Sequence, residues 1–410
     1  MIPNAEQTGT VEQPWHDYLA SLAATGDFPD VFNSYNMPSA LLLGWAKDFT
    51  DLASGDPEFE LVYPDIKASG QFFDRYFAAA YMYEFFGYFV NKSLFEEANV
   101  DYPEFGFTMD EMLNASKAIA KLQEGGNSIL GMSGPAELFN YYPAQLNENY
   151  GWYAWDESAK SFQIDGPEFA ESIALNLQIR NDKTHVNDAL TPEERAMYFG
   201  TNDWWYPWWN GQMGLHFDFS IMMSYLINAK EIGDISFDYD FIGIPKGSEE
   251  ATTRTPIKPT YMMLGKNTEN EEMAYELMKW LSFDPEGYEY RLMISRTVEN
   301  VFPIISPPLT TDSVAHDAFF VDTFPGYPEW QKVIENGHFY FDAWAVQPGF
   351  IAARWEMLYQ EGITMAQIND QIGNLGTANI GDHAAEMKRL MNAEITEVYQ
   401  ELRTILGIED

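Results

Sequence analysis

The residues that could do chemistry narrow the possibilities before any fold is considered. The chain of 410 residues carries six histidines, His16, His185, His216, His316, His338 and His383, and no cysteine. No two of these histidines stand at metal-ligand spacing, and HExxH is missing, so nothing in the pattern suggests a metal. Without cysteine, disulfides, thiolate metal sites and a cysteine nucleophile are all excluded. The phosphate-cradling patterns GxxxxGK[ST] and GxGxxG do not occur. GMSGP, residues 131–135, misses the nucleophile-elbow pattern GxSxG because Pro135 replaces the last glycine. Asp238 and Asp240 in FDYDF could touch a cation, but the rest of a calcium loop is not there. Carboxylates are plentiful, 63 Asp and Glu in all. Glycoside hydrolysis needs only a pair of them, and such abundance makes any chosen pair uninformative.

Aromatic residues are the other resource. TNDWWYPWWNGQMGLHFDF, residues 201–219, holds Trp204, Trp205, Trp208 and Trp209, four of the 12 tryptophans. Each offers roughly 200 Å² of largely apolar surface, worth up to about 5 kcal/mol when buried. Four left in water would form an adhesive patch, so they belong to the core, to a pocket wall, or to both.

The elements that must position these groups follow from composition and period. With 46% apolar and 21% charged residues the chain folds, and its length exceeds a single ordinary core, which predicts two domains. A net charge of −40 excludes unassisted nucleic-acid binding. It suits a strongly solvated surface in a salty or extracellular setting, or attraction of a cationic ligand. The longest mostly apolar run, YFAAAYMYEFFGYFV (76–90), is interrupted by Glu84 and is shorter than a membrane-spanning helix needs. MIPNAEQTGT has neither the basic start nor the apolar stretch of a signal peptide, as a processed chain also would not.

Helix grammar is clear in four places. Thr108 with Glu111 forms a capping-box pattern ahead of Met112, Ala115, Ile119 and Leu122, with Gly125–Gly126 as the stop. Thr268 with Glu271 repeats it ahead of Met273, Leu277, Trp280 and Leu281. Pro167 stands at a first turn, with Phe169, Ile173 and Leu177 on one face. A final helix runs from roughly Asp382 to Leu406. FPDVFNS, YDFIGIPKG and YMMLGK read as short strands, and strands alternating with long helices predict α/β layering.

FVNKSLFEEANVDYPEFGFTMDEMLNASKAI, residues 89–119, joins a strand, a short acidic helix, a proline loop and a capped helix. It resembles the signature region of the extracellular solute-binding proteins of ABC transporters, of the carbohydrate-binding type related to maltose-binding protein. DYLASLAATGDFPDVFNS, LNENYGWYAWDESAKSFQIDGPEFAESI, WWNGQMGLHFDF, and FIGIPKG followed by ENEEMAYELMKWLSF are similar to further segments of that family, in the same order. The resemblance spans about residues 11–400, and the shared order is more specific than any one piece. The family's usual opening strand and helix have no counterpart ahead of the first segment, which bears on stability and affinity.

The resemblance implies an α/β, two-lobe fold of the periplasmic-binding-protein kind (type II), each lobe a mixed sheet flanked by helices, closing about a hinge. Lobe one would comprise residues 1–84 and 254–302, and lobe two residues 85–253 and 303–410. It implies a non-catalytic receptor that binds a carbohydrate, an oligosaccharide in view of the aromatics, and presents it to ABC permease subunits. The receptor would be a monomer without cofactor or metal, on the extracellular side of the cytoplasmic membrane, periplasmic or anchored as a lipoprotein. The alternatives are a polyamine receptor of the same fold and a glycoside hydrolase.

A sugar site wants aromatic plates beside side chains that make directional hydrogen bonds. Family positions fall on Asn33, Tyr35 and Asn36 after the FPDVF strand, where an ordinary strand-ending turn reads equally well. They fall on Glu84 at the first crossover, flanked by Tyr81 and Tyr83, since a lone acid in an apolar run needs a partner or water. They fall also on Phe139, Asn140 and Tyr141, on Asp218 and Phe219, and on Trp344. Of the tryptophans, Trp209 is expected to be the core aromatic of a helix, Trp205 and Trp208 to be core as well, and Trp204 to lean into the cleft.

Overall fold

The computed structural model describes residues 12–34, 37–133, 141–183, 187–297, 306–341 and 380–408. Its strands are β1 (Val31–Ser34), β2 (Gln71–Phe72), β3 (Arg75–Tyr76), β4 (Ala79–Asn91), β5 (Leu130–Met132), β6 (Trp155–Asp156), β7 (Ser161–Phe162), β8 (Met213–Phe219), β9 (Tyr239–Gly243), β10 (Thr255–Leu264) and β11 (Phe339–Phe341). A seven-stranded sheet has the order β1–β10–β4–β8–β5, with β11 added on β10 and β9 on β4. The pairs β2–β3 and β6–β7 are separate hairpins.

The apolar run seen in the sequence is β4, and it links the two halves of this sheet. From Ala79 to Phe85 it pairs antiparallel with β10, ending at Ile257↔Phe85. From Phe86 it pairs instead with β8, beginning at Phe86↔Phe219 and reaching Val90↔Leu215, while β9 takes its other edge from Tyr88 onward. Aromatic and β-branched residues suit a strand buried on both faces, and Phe85, Tyr88, Phe89 and Val90 have no solvent exposure. Gly87 has a steric reason: a Cβ there would sit 2.6 Å from the Gly243 carbonyl oxygen and 2.8 Å from the Phe241 ring. The switch of partner at Phe85–Phe86 places Glu84 beside the crossing point.

Several elements match their sequence signals. Helix Met109–Ile119 opens with the Thr108–Glu111 capping box, both reciprocal bonds formed. It ends at Ile119, short of Leu122, because Ala120 is already extended. Helix Pro167–Asn181 starts at its proline and buries Phe169 and Ile173. Helix Ile380–Leu406 covers the expected final helix.

Helix Glu271–Ser282 differs from expectation in two respects. Its N-cap is Asn270 with no side-chain bond, so the Thr268–Glu271 box does not form. Met273, Leu277 and Trp280 are 72%, 49% and 38% exposed, and the buried face is Ala274, Tyr275 and Met278. The helical period holds and the face differs: both stripes carry apolar residues, and the helix packs the Ala274, Tyr275 and Met278 stripe inward, contacting β10. The tryptophan segment also differs. Only one turn forms, Tyr206–Trp209, and the fully buried ring is Trp208, with Trp205 and Trp209 partly covered.

The later part of the chain contacts both halves. Tyr63 N–H bonds the Leu309 carbonyl at 3.1 Å and Thr311 N–H the Leu61 carbonyl at 2.8 Å. Helix Pro328–Asn336 instead docks on β9, where Asp240 accepts from Glu329 N–H at 3.1 Å and Trp330 N–H at 3.2 Å. In the final helix, Asn392 bonds both the N–H and the carbonyl of Phe162 in β7. Seven residues on, Tyr399 stacks on Phe72 of β2 at 5.4 Å.

Asp240 carries a pH prediction. It is fully buried, and burial raises its carboxyl to about 6, against the pull of three backbone N–H bonds and Lys92. A carboxyl raised in the folded state adds stability below its unfolded value near 3.8, and that stability is lost as pH rises through the folded value. Between pH 4 and pH 6 the protein should lose stability relative to Asp240→Asn, by up to about 1.4 kcal/mol per pH unit. Urea melts of both proteins across pH 4–7 check this; a constant gap would mean the group does not titrate there.

Candidate functional site

Parallel strands β5 and β8 pair through Leu130↔Met213 and Met132↔Leu215. In open α/β sheets, ligands collect outside the carboxyl ends of such strands, where the chain changes direction. Phe219 ends β8, Ser133 follows β5, and β4 crosses alongside at Glu84–Phe86. Three groups of side chains meet here.

The first is an aromatic nest. Phe86 stacks on Tyr141 at 5.3 Å, meets Trp152 edge-on at 5.0 Å and tilts against Phe219 at 5.4 Å. Tyr141 also stacks on Phe217 at 5.7 Å. Phe86, Tyr141, Trp152 and Phe217 are each under 10% exposed, whereas Phe219 is 41% exposed and forms the open face. Trp152 is held by an unusual turn, since Tyr153 and Ala154 both have left-handed φ, 56° and 55°. Such conformations cost of order 1–3 kcal/mol for a non-glycine residue and cluster where a side chain must be aimed. The Trp152 indole N–H has no partner among the described residues.

The second group is ionic. Glu84 on β4 pairs in register with Lys258 on β10, and both are half-buried. Burial pushes the Glu84 carboxyl above its ordinary value; the Lys258 ammonium opposes this and the Asp218 charge adds to it. The site therefore offers acceptors and one donor, at moderate depth.

The third is a hydrogen-bonded chain. Ser133 Oγ lies 2.8 Å from His216 Nδ1, and His216 Nε2 lies 3.2 Å from Asp218 Oδ2. These are the residue types of nucleophilic hydrolases. Here the serine is 1% exposed, and its oxygen already accepts from Phe217 N–H at 3.2 Å.

The expected residues are distributed unevenly about this place. Glu84, Tyr141, Asp218 and Phe219 come together. Tyr83 is a correction: it is 1% exposed, packs on Phe85 and Phe339, and donates its hydroxyl to the Pro308 carbonyl at 3.2 Å, which makes it core. Tyr81 is half-buried earlier on β4. Asn33 is on β1 opposite Met262, its carbonyl accepting from the Trp15 indole at 3.0 Å. Trp204 is 41% exposed and lies over Trp205 at 4.0 Å, which in turn meets the His216 ring at 5.3 Å. Tyr35, Asn36, Phe139, Asn140 and Trp344 lie outside the described residues.

With this geometry in view, comparison with known families is decisive. The model of the bacterial extracellular solute-binding proteins matches residues 9–306. The chain belongs to that family. Comparison with curated proteins gives no significant match. Among solved structures, a sugar transporter of Rhizobium etli in an open conformation is 14% identical, with 93% of this chain and 89% of that one covered and a TM-score of 0.69. The cyclic α-maltosyl-1,6-maltose binding protein of Arthrobacter globiformis is 16% identical, covering 95% and 90%, with a TM-score of 0.64. The sugar-binding protein MalE of Xanthomonas citri is 14% identical, covering 97% and 90%, with a TM-score of 0.61. At such identities the likeness speaks for the fold, which is the two-lobe α/β arrangement of this family.

Within this solute-binding protein, two surface depressions lie away from the crossing point. One, of about 580 Å³, runs between Leu52–Pro57 and the helix face of Glu272–Lys279; the other, of about 620 Å³, follows Val100–Phe107. Neither contains the aromatic nest. Sequence reasoning missed Phe86, Trp152, Phe217, Lys258, Ser133 and His216. Their signal was present for Trp152, one residue past a glycine in GWYAW, but nothing in the linear order joins it to β4. No helix among the described residues is long and apolar enough to cross a membrane.

Proposed function

We propose that this chain is the receptor of an ABC importer and binds a carbohydrate, an oligosaccharide rather than a single sugar, between lobes 1–84/254–302 and 85–253/303–410. The observation that carries this reading is the exposed Phe219 plate backed by Phe86, Tyr141 and Trp152, with Glu84 two residues before Phe86 on β4 and Asp218, the preceding residue of β8, close enough to act on Glu84. Sugar C–H faces stack on such plates, and hydroxyls bond fixed acceptors. The solved relatives support the ligand class, since their names include sugar and cyclic maltosyl-maltose binding. Asn33, Tyr35, Asn36, Tyr81, Phe139, Asn140, Trp204 and Trp344 are further candidate contacts as the lobes close. The receptor acts as a monomer outside the cytoplasmic membrane, anchored there as a lipoprotein or free in the periplasm, hands its cargo to permease subunits and performs no catalysis.

The acidity of the chain, −40 overall, supports a polyamine as the second reading. A thermal-shift screen with maltose, maltotetraose, chitotetraose, cycloalternan and spermidine separates the two. A rise in Tm that grows with oligosaccharide concentration is expected, because ligand bound to the folded state alone stabilises it by mass action. Chromatography of the same sugars after long incubation should show no cleavage products. A rise with spermidine alone would overturn the carbohydrate reading, and product formation would overturn the receptor reading.

A further inference from the structure

We infer that Ser133 and His216 are positioning residues that lock the Asp218 carboxylate as a hydrogen-bond acceptor for a ligand hydroxyl; this rests on the carbohydrate reading above. Ser133 directly follows β5, His216 lies at the middle of β8 and Asp218 is one residue from its end, and all three are buried, at 1%, 1% and 6% exposed. The chain runs from Ser133 along β8 to Asp218, one residue short of the strand's end at Phe219 and close enough to Glu84 to raise its carboxyl.

Its bonding has one consistent direction when Asp218 is ionised and His216 neutral. An ionised carboxylate only accepts, so His216 must carry its proton on Nε2 and donate to Asp218 Oδ2. Nδ1 is then an acceptor and takes the Ser133 hydroxyl proton at 2.8 Å. Ser133 Oγ in turn receives the Phe217 N–H. The other carboxylate oxygen, Oδ1, accepts from Phe219 N–H at 2.8 Å. Each carboxylate oxygen thus holds one internal donor and keeps capacity for a second. Both the rotation of the carboxylate and its sideways movement are restrained.

The imidazole has no freedom to turn away. Trp208 stacks on it at 4.9 Å and 22°, and Trp205 meets its edge at 5.3 Å. This gives the tryptophan cluster a role besides burial, since two of its rings hold the histidine that holds the acid. A binding group whose rotamer is fixed by outer contacts loses less freedom when ligand arrives, which favours affinity.

The test is titration calorimetry with maltotetraose, chitotetraose and cycloalternan, together with Tm, on wild type, His216→Leu, His216→Gln, Ser133→Ala and Asp218→Asn. His216→Leu should weaken the best of these sugars about tenfold or more, with Asp218→Asn similar. His216→Gln, whose amide N–H can replace Nε2–H, should recover most of the loss, and Ser133→Ala should fall between. A role confined to holding the strands together predicts the opposite pattern, lower Tm with unchanged Kd, and that result overturns the inference. No binding by wild type would overturn the carbohydrate reading instead. In that case the nitrogen NMR signals of His216 still decide the relay: an Nε2–H tautomer that Asp218→Asn and Ser133→Ala both perturb supports it, and an Nδ1–H tautomer refutes it.

Discussion

Trp208→Ala should lower the stability of the folded chain by about 3–5 kcal/mol, the range for deleting a large buried aromatic. Trp208 has no solvent exposure and is enclosed by His216, Phe237 and Phe89 at ring distances of 4.9, 5.2 and 6.4 Å. Its indole N–H has no hydrogen-bond partner among the described residues, so the loss comes from packing and the cavity left behind. Trp208→Phe should recover a large part, because it keeps the stack on His216. Urea denaturation followed by far-UV circular dichroism measures both. A loss below about 1 kcal/mol for the alanine variant would mean that the surroundings collapse into the space. The neighbouring Trp204 provides the control: at 41% exposed, its replacement by alanine should change stability far less.

Phe219→Ala should do the reverse, weakening oligosaccharide affinity by roughly 10–100-fold while moving Tm little. The ring is 41% exposed and tilts against Phe86 at 5.4 Å, so part of its apolar surface is open to a sugar. Losing the stacking and area burial of one aromatic plate costs about 1.5–3 kcal/mol of binding. Phe219→Tyr should stay close to wild type. Calorimetry with the sugar that gives the largest thermal shift reads the effect. Unchanged affinity for Phe219→Ala, with wild type binding normally, would remove Phe219 from the site and leave the ligand to the other aromatics.

The contrast between these two residues shows what sequence reasoning reached and by which route. Both lie in TNDWWYPWWNGQMGLHFDF, and both are large aromatics. Composition placed both in core or pocket wall; the reading by segment expected Trp208 in the core, where it is, and Phe219 at a ligand position, where the ring is partly exposed. The division depends on β8: alternation along it turns Phe217 and Phe219 toward the nest and His216 toward Trp208, so neighbours in sequence serve opposite faces. The same holds for Tyr83 and Glu84. They are adjacent, yet one is sealed against Phe339 and the other pairs with Lys258, some 170 residues along the chain in a strand that pairs with β4.

Signals that act over a few residues were readable from the chain itself. The Thr108–Glu111 capping box and the first-turn proline of helix Pro167–Asn181 depend on local hydrogen bonds and backbone angles, and they form as their residues predict; the strands expected in FPDVFNS and YDFIGIPKG also form, as Val31–Ser34 and Tyr239–Gly243, though their hydrogen bonds go to the distant β10 and β4. The ordered series of family-like segments carried the fold class. Tertiary structure alone decided which apolar stripe of helix Glu271–Ser282 is buried, that Trp205 and Trp209 are only partly covered beside the buried Trp208, and that Ser133, His216 and Asp218 form one chain. Those outcomes depend on contacts between segments far apart in sequence, where the free energy of burial is shared among many partners and no single residue type carries the answer.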